Sequence, residues 1–147
     1  MNKQYSILIV DDELPITQSF KEFFEDYDYI VETANNGKEG LEKIRNGDFD
    51  VAIVDLRMPE MDGIEMIRQA NAEEIDPEWI ILTGHGERNE AIEAIKLKID
   101  DWFDKQGIDM SKLLEKVRKL THGHLDDVRR IFTRIREDMR TEQHNNE

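Results

Sequence analysis

Five short apolar runs, separated by longer segments with helical spacing, constrain the fold of this chain more than any other feature. The runs at 7–10, 51–54 and 79–82 are continuously apolar and rich in Ile and Val. Such runs are typical of strands in a parallel sheet that is covered on both faces. Weaker runs at 30–33 and 102–103 predict two further strands.

The segments between these runs carry apolar residues at the spacing of one helix face, and turn-forming residues fall where one element should give way to the next. Five strand–helix units joined by right-handed crossovers predict an α/β fold: a doubly wound, five-stranded parallel sheet with helices on both faces. Ligands bind such sheets at the carboxyl ends of the strands. The residues that define the five helix faces are Ile16, Phe20, Phe23 and Phe24; Leu41 and Ile44; Ile64, Met66 and Ile67; Ala91, Ile92 and Ile95; and Leu113, Leu114, Val117 and Leu120.

Composition excludes several classes of function. The chain is 38% hydrophobic, enough for a core, and its 34 acidic and 20 basic side chains give a net charge of -14. That charge disfavours direct binding to nucleic acid or to anionic membranes. The absence of cysteine excludes disulfides and thiolate sites. Because no apolar run could span a bilayer and the N-terminus lacks a signal-peptide pattern, we expect a cytoplasmic protein.

Polar residues stand at the ends of four predicted strands. Asp11 and Asp12 follow the first strand, Asp55 the third, Thr83 the fourth and Lys105 the fifth. Each alone has an ordinary explanation as a helix cap or a solvated side chain. Together, three carboxylates require a divalent cation, and oxygen ligands favour Mg²⁺. An Asp beside such a metal can act as a nucleophile, so the set predicts phosphoryl transfer to a carboxylate.

Four motifs carry a resemblance to a known family. They read ILIVDDE at 7–13, VDLRMPEMDG at 54–63, LTGHG at 82–86 and DWFDK at 101–105. In this order and at these separations, they closely resemble the receiver domain of bacterial two-component response regulators, over about residues 5–120. The resemblance implies a flavodoxin-like sheet with strand order 2-1-3-4-5.

The resemblance also implies a phosphoacceptor and a metal site. Asp55 would accept the phosphoryl group. Asp12 and Asp55, together with the backbone carbonyl of Arg57, would hold Mg²⁺, and Asp11 would reach the metal through water or orient its ligands. These assignments come from the family's pattern and not from spacing alone.

A second group of residues would respond to phosphorylation, again by resemblance. Lys105 would pair with Asp55 and then with the phosphoryl group, and Thr83 would move to hydrogen-bond that group. Trp102 stands at the family's switch position, although a packed, half-buried aromatic is an equal interpretation. Gly63 is expected to serve backbone geometry.

The chain departs from the family's pattern at several positions. Gln106 replaces a proline that usually follows the lysine through a cis bond, and a cis bond to a non-proline residue costs about 2.5–4 kcal/mol, so we expect the Lys105–Gln106 bond to be trans. Lys98 and the residue after it stand where small residues are common. Arg57 and His85 flank the predicted site, either as solvated side chains or as groups that tune how fast water reaches a phosphorylated Asp55.

Residues 121–147 form a C-terminal extension beyond the predicted receiver domain at 1–120. An amphipathic helix is predicted over 125–139, and the segment 121–124 either interrupts a longer helix or weakens it; the end from Gln143 is expected to fray. The helix could fold back on its own domain, dock on a partner or pair with a second copy. An imperfect heptad pattern suggests a homodimer. Its members are Leu113, Val117, Leu120, Val128, Ile131 and Ile135.

These features predict a phosphoacceptor response regulator that needs Mg²⁺. It would receive its phosphoryl group from a histidine kinase or a phosphotransfer protein and signal to a downstream protein by contact. It would assist its own phosphorylation but act on no independent substrate. A receiver-like adaptor that works without phosphorylation is the alternative. A phosphohydrolase with an aspartyl nucleophile is disfavoured because Arg57 stands where that class needs a second acid.

Overall fold

The computed structural model describes residues 4–84 and 96–145, with the backbone alone described at residues 123–130, 144 and 145. This part of the chain forms five strands and four helices. In chain order they are β1 (Ser6–Val10), α1 (Leu14–Asp26), β2 (Ile30–Ala34), α2 (Gly37–Asn46), β3 (Val51–Asp55), α3 (Gly63–Ala72), β4 (Glu78–Thr83), β5 (Asp101–Asp104) and α4 (Met110–Asn145). The helix face predicted at Ala91, Ile92 and Ile95 lies outside the described residues.

The strands form one parallel sheet in the order β2-β1-β3-β4-β5, which confirms the predicted fold class and strand order. Each predicted strand is present and extends by one residue at one or both ends. Because β1, β3, β4 and β5 lie side by side, the residues that end these four strands meet at one edge of the sheet.

Two apolar clusters cover the two faces of the sheet. Alternate residues of each strand enter opposite clusters, as the pleat requires. In β1, for example, Ile7 and Ile9 pack with α1 and α4, whereas Leu8 and Val10 pack with α2 and α3. Burial on both faces explains why the strands are continuously apolar and do not alternate with polar residues.

Gly63 allows α3 to begin against the strand that carries Asp55. A Cβ atom at this position would collide with the backbone oxygen of Asp55. The Gly63 N–H donates to the carbonyl of Leu56 at 2.9 Å, and the carboxylate of Asp62 caps the helix by accepting from the N–H of Glu65 at 2.8 Å. The predicted role of Gly63 in backbone geometry is therefore confirmed.

Two departures from the family's pattern have structural outcomes. The Lys105–Gln106 bond is trans, as expected, since the described residues contain no cis peptide bond. Lys98 adopts a φ of 60°, in the left-handed region that glycine occupies at little cost. Glycine at this position would remove that strain.

The C-terminal helix α4 passes without interruption through residues 121–124, so the boundary predicted after residue 120 falls inside one helix. Its inner half, residues 110–122, packs on the sheet, and Leu113 and Val117 are fully buried there. Leu113 and Val117 were predicted to belong to a dimer heptad, and this prediction is wrong because the sheet covers them. Helical spacing alone does not reveal what covers a helix face.

The outer half of α4, residues 123–145, presents a different surface. The described apolar side chains there are between 48% and 58% exposed. The outer half therefore does not fold back onto the described part of its own domain. The helix continues to Asn145, beyond the residue at which fraying was predicted to begin. None of the described helices is long and apolar enough to cross a membrane. The exposed apolar side chains of the outer half of α4 are those of Ile131, Phe132, Ile135 and Met139.

Candidate functional site

Two carboxylates and an ammonium group meet at the carboxyl edge of the sheet. Asp11 follows β1 directly, Asp55 ends β3 and Lys105 follows β5. The Nζ atom of Lys105 lies 2.9 Å from Oδ2 of Asp11 and 3.0 Å from Oδ2 of Asp55. Asp11 is fully buried and Asp55 is 4% exposed. The fold therefore brings together three residues that are far apart in the sequence and were all predicted as site residues.

Glu13 is a fourth member of this group that the sequence interpretation did not assign. Its Oε1 atom lies 3.1 Å from Nζ of Lys105. Glu13 is the N-cap residue of α1, yet its side chain makes no capping hydrogen bond. Its backbone N–H donates to Oδ1 of Asp11 at 2.9 Å. Its place in the acidic run after β1 was the available signal, but that signal is equally typical of a helix cap.

Burial and mutual charge shift the ionisation of the group. Burial, followed by the charge of Asp11, raises the pKa of Asp55 from 3.8 to about 6. Burial also raises the pKa of Asp11, although the hydrogen bonds from Glu13 and Lys105 oppose the shift. Burial by itself lowers the pKa of Lys105, but the hydrogen bonds and charges of Asp11 and Asp55 outweigh it and raise that pKa. Lys105 therefore stays an ammonium ion between two buried carboxylates whose pKa values are raised.

The carboxylates fit a divalent cation with oxygen ligands. Asp11, Asp12 and Asp55 each offer an oxygen, and these atoms lie within 4.8 Å of one another. Oδ2 of Asp11 is buried and accepts no hydrogen bond, despite its short distance to Lys105. This oxygen can accept a further bond, and Mg²⁺ binds through one or two carboxylates plus water. The backbone carbonyl of Arg57 as a ligand stays a prediction.

An open cavity of about 410 Å³ lies over these groups. Asp12, Asp55, Arg57 and Lys105 line it together with Glu13. Asp12 is exposed to it, whereas Asp11 lies beneath. The volume accommodates a hydrated ion and a phosphoryl group, and Asp55 is accessible from outside.

Of the two predicted switch residues, Thr83 ends β4 at this edge, whereas Trp102 lies within β5 beside Ile81 of β4. The hydroxyl of Thr83 donates to the backbone carbonyl of Phe103 at 3.3 Å, so it is turned towards β5. The backbone N–H of Lys105 donates to the carbonyl of Thr83 at 2.8 Å and fixes the two strand ends together. Trp102 is 44% exposed on β5. His85 lies outside the described residues.

Comparison with known proteins identifies relatives of this arrangement. Residues 7–118 match the family model of the response regulator receiver domain. The transcriptional regulatory protein ZraR of Klebsiella oxytoca is 33% identical over 122 residues, which cover 79% of this chain and 28% of that protein. The response regulator SaeR of Staphylococcus aureus is 30% identical over 128 residues, covering 83% of this chain and 56% of that protein. The matched part of the chain thus covers 28% of the length of the first of these relatives and 56% of the length of the second.

Solved structures show the same fold. A CheY-like receiver domain protein from Methanospirillum hungatei superposes with a TM-score of 0.77 at 31% identity, covering 84% of this chain and 99% of that one. The response regulator TrrA of Thermotoga maritima, solved in complex with Mg(2+)-BeF, gives a TM-score of 0.71 at 32% identity and covers 80% of this chain and 99% of that one.

Proposed function

The chain belongs to the response regulator receiver domain family of two-component systems, and on that premise we propose that it accepts a phosphoryl group on Asp55. A carboxylate oxygen of Asp55 attacks phosphorus, the bond between phosphorus and the donor's imidazole nitrogen breaks, and the electron pair leaves with that nitrogen. The observation that carries the proposal is the contact of Lys105 with both Asp11 and Asp55 beneath an open cavity.

The residues of the site divide the work of this transfer. Asp55 is the nucleophile, and its accessibility from the cavity allows the donor to approach in line with the bond that breaks. Lys105 neutralises charge that develops on the phosphoryl oxygens. Asp11, Asp12, Asp55 and the backbone carbonyl of Arg57 would hold Mg²⁺, with Asp11 reaching it through water. When bound, Mg²⁺ supplies positive charge that offsets the carboxylates and the transferred group.

The phosphorylated state would then change the surface. A phosphoryl group adds charge and strong acceptor oxygens near Thr83 and Lys105. We propose that the Thr83 hydroxyl leaves the Phe103 carbonyl to donate to this group and that Trp102 changes rotamer with it. Both changes bias a pre-existing equilibrium between two surfaces.

We propose further that the phosphoryl donor is a histidine kinase or a phosphotransfer protein and that the output is contact with a downstream protein. The exchange would take place in the cytoplasm, where ATP supplies the kinase. The domain would assist its own phosphorylation and dephosphorylation and would act on no independent substrate. Arg57 and His85 would tune the lifetime of the phosphoryl group; unchanged dephosphorylation rates in both Arg57→Ala and His85→Ala would overturn that role.

A small phosphodonor tests the transfer without knowledge of the kinase. Phosphoramidate carries a P–N bond like that of phosphohistidine. With Mg²⁺, we expect it to phosphorylate the protein, and neutral hydroxylamine should remove the phosphoryl group because it cleaves acyl phosphates. A chelator of Mg²⁺ should prevent phosphorylation. A folded protein that takes up no phosphoryl group would favour the phosphorylation-independent adaptor, whereas continuous release of phosphate from unrelated phosphomonoesters would favour a phosphohydrolase.

The outer half of α4 supports a proposal about a second partner. Ile131, Phe132, Ile135 and Met139 form an apolar stripe that the described residues leave uncovered. We propose that a second copy of the chain covers it by helix pairing. Residues 121–147 carry a net charge of only -1, against -13 for residues 1–120, so pairing through this segment meets little repulsion.

Sedimentation equilibrium tests the pairing. The unsubstituted chain should be a dimer, Ile135→Glu should be a monomer, and Thr141→Glu, which adds the same charge outside the apolar stripe, should remain a dimer. A monomeric unsubstituted chain at its highest soluble concentration would overturn the proposal. Equal dissociation by both variants would overturn it as well, because charge and not the stripe would then be responsible.

A further inference from the structure

We propose that Glu13 is a positioning residue that competes with the phosphoryl group for the ammonium of Lys105. The inference rests on the proposed function, since it concerns how Lys105 becomes available to a phosphorylated Asp55. Glu13 would thereby set how readily the site accepts a phosphoryl group, without itself touching the reacting atoms.

All three donors of the Lys105 ammonium are occupied. The group donates to Oδ1 of Asp11 at 3.1 Å, to Oε1 of Glu13 at 3.1 Å and to Oδ2 of Asp55 at 3.0 Å. A lysine ammonium has three N–H bonds and no more. A phosphoryl oxygen can therefore receive a hydrogen bond from Lys105 only if one of these three contacts is released.

The three contacts differ in how readily they can be released. The side chain of Asp11 is fully buried and that of Asp55 is 6% exposed. Asp11 would be left as a buried charge without its partner, and so would Asp55 until the transfer turns its carboxylate into an acyl phosphate. The side chain of Glu13 is 60% exposed and can turn into water. Glu13 is therefore the partner that Lys105 gives up when a phosphoryl group arrives.

Local structure keeps Glu13 in place for this exchange. The N–H of Glu13 donates to Oδ1 of Asp11, which holds its backbone beside Lys105. Glu13 is the N-cap residue of α1, but its side chain makes no hydrogen bond to the first turn of the helix. Its carboxylate reaches across to Lys105 instead.

Glu13 could act in two ways, and variants that change either the length or the charge of its side chain distinguish them. If it merely repels an incoming anion, any negative charge at this position should suffice. If it competes through its contact with Lys105, the charge must also reach Nζ. Asp at this position keeps the charge but is one methylene shorter, so it loses the contact, whereas Gln keeps the length and loses the charge.

The test measures the affinity of the protein for beryllofluoride, a phosphoryl analogue, by calorimetry at saturating Mg²⁺. We expect both Glu13→Asp and Glu13→Gln to bind it about two- to fivefold more tightly than the unsubstituted chain, the range that a partly exposed ion pair supports. Glu22→Gln, which removes a carboxylate more than two turns along α1, should bind with unchanged affinity.

An unchanged affinity in Glu13→Asp, with or without a gain in Glu13→Gln, would overturn the inference, because repulsion or no role at all would then suffice. Weaker binding in both variants would overturn it too and would assign Glu13 a structural role. These results are distinct from failure of the proposed function, in which the unsubstituted chain would bind no beryllofluoride with Mg²⁺.

Discussion

The receiver body, which is the described part of the chain up to residue 122, and the outer half of α4 differ in where their side chains find partners. In the body, apolar side chains are buried on both faces of the sheet, and the charged groups of the cavity pair with one another. In the outer half, the apolar stripe is exposed, although the same helix buries Leu113 and Val117 in its inner half. An amphipathic pattern thus specifies a face to bury, but the fold decides whether the chain itself supplies the cover.

The largest expected effect separates the two halves of α4 directly. Leu113→Ala should lower the free energy of unfolding by about 2–5 kcal/mol, because it leaves a cavity against the sheet. Ile135→Ala should change it by less than about 0.5 kcal/mol, since it removes exposed surface. Urea unfolding at a concentration that keeps the chain monomeric measures both. Similar losses in the two variants would contradict the contrast and indicate that the outer half packs on the body.

The second effect concerns the body alone and depends on pH. The folded-state pKa of Asp55, about 6, exceeds its usual 3.8, so the unfolded chain loses this proton first. Ionisation of Asp55 therefore removes stability as pH rises from about 4 through about 6. Without Mg²⁺ at about pH 8, Asp55→Asn should raise the free energy of unfolding by about 1–3 kcal/mol.

Urea unfolding of the unsubstituted chain and Asp55→Asn at several pH values measures that difference. The gap between the two proteins should widen from about pH 4 to about pH 8. Glu78, whose pKa is raised to about 7 chiefly by its hydrogen bond with Asp100, titrates in both proteins and cancels in the comparison. A gap of constant size would contradict the account of the buried carboxylates.

The smallest effect tests a strained position in the body. A left-handed conformation costs a non-glycine residue about 1–2 kcal/mol, and a substitution to glycine removes this cost. Glycine is also more flexible in the unfolded chain, which offsets about 0.5–1 kcal/mol of that gain. Lys98→Gly should therefore stabilise the protein by up to about 1 kcal/mol. Asp28→Gly, at a φ of 67°, should gain less, because Asp tolerates this region better than Lys. A loss of stability in Lys98→Gly would show that its side chain contributes more than the strain costs.

Much of the body could be predicted from the sequence because its signals are local and repeated. Continuous Ile and Val runs identified the strands, and strand order followed from the resemblance of the motifs. Asp11, Asp55 and Lys105 could be placed together because parallel strands end at one edge.

Side-chain direction and the choice of partner could not be predicted in the same way. The contact of Glu13 with Lys105 depends on the reach of one side chain from a helix cap, which sequence spacing does not encode. The turn of the Thr83 hydroxyl towards Phe103 depends on a rotamer. Leu113 and Val117 fitted a heptad because the same spacing serves a sheet and a second helix equally.

Intact-mass analysis after incubation with a small phosphodonor and Mg²⁺ tests the central claim most directly. The unsubstituted chain and Asp62→Asn, which alters a nearby carboxylate outside the site, should each gain one phosphoryl group. Asp55→Asn should gain none. A gain in Asp55→Asn, or no gain in a folded, Mg²⁺-binding unsubstituted chain, would contradict the assignment of Asp55 as the phosphoacceptor.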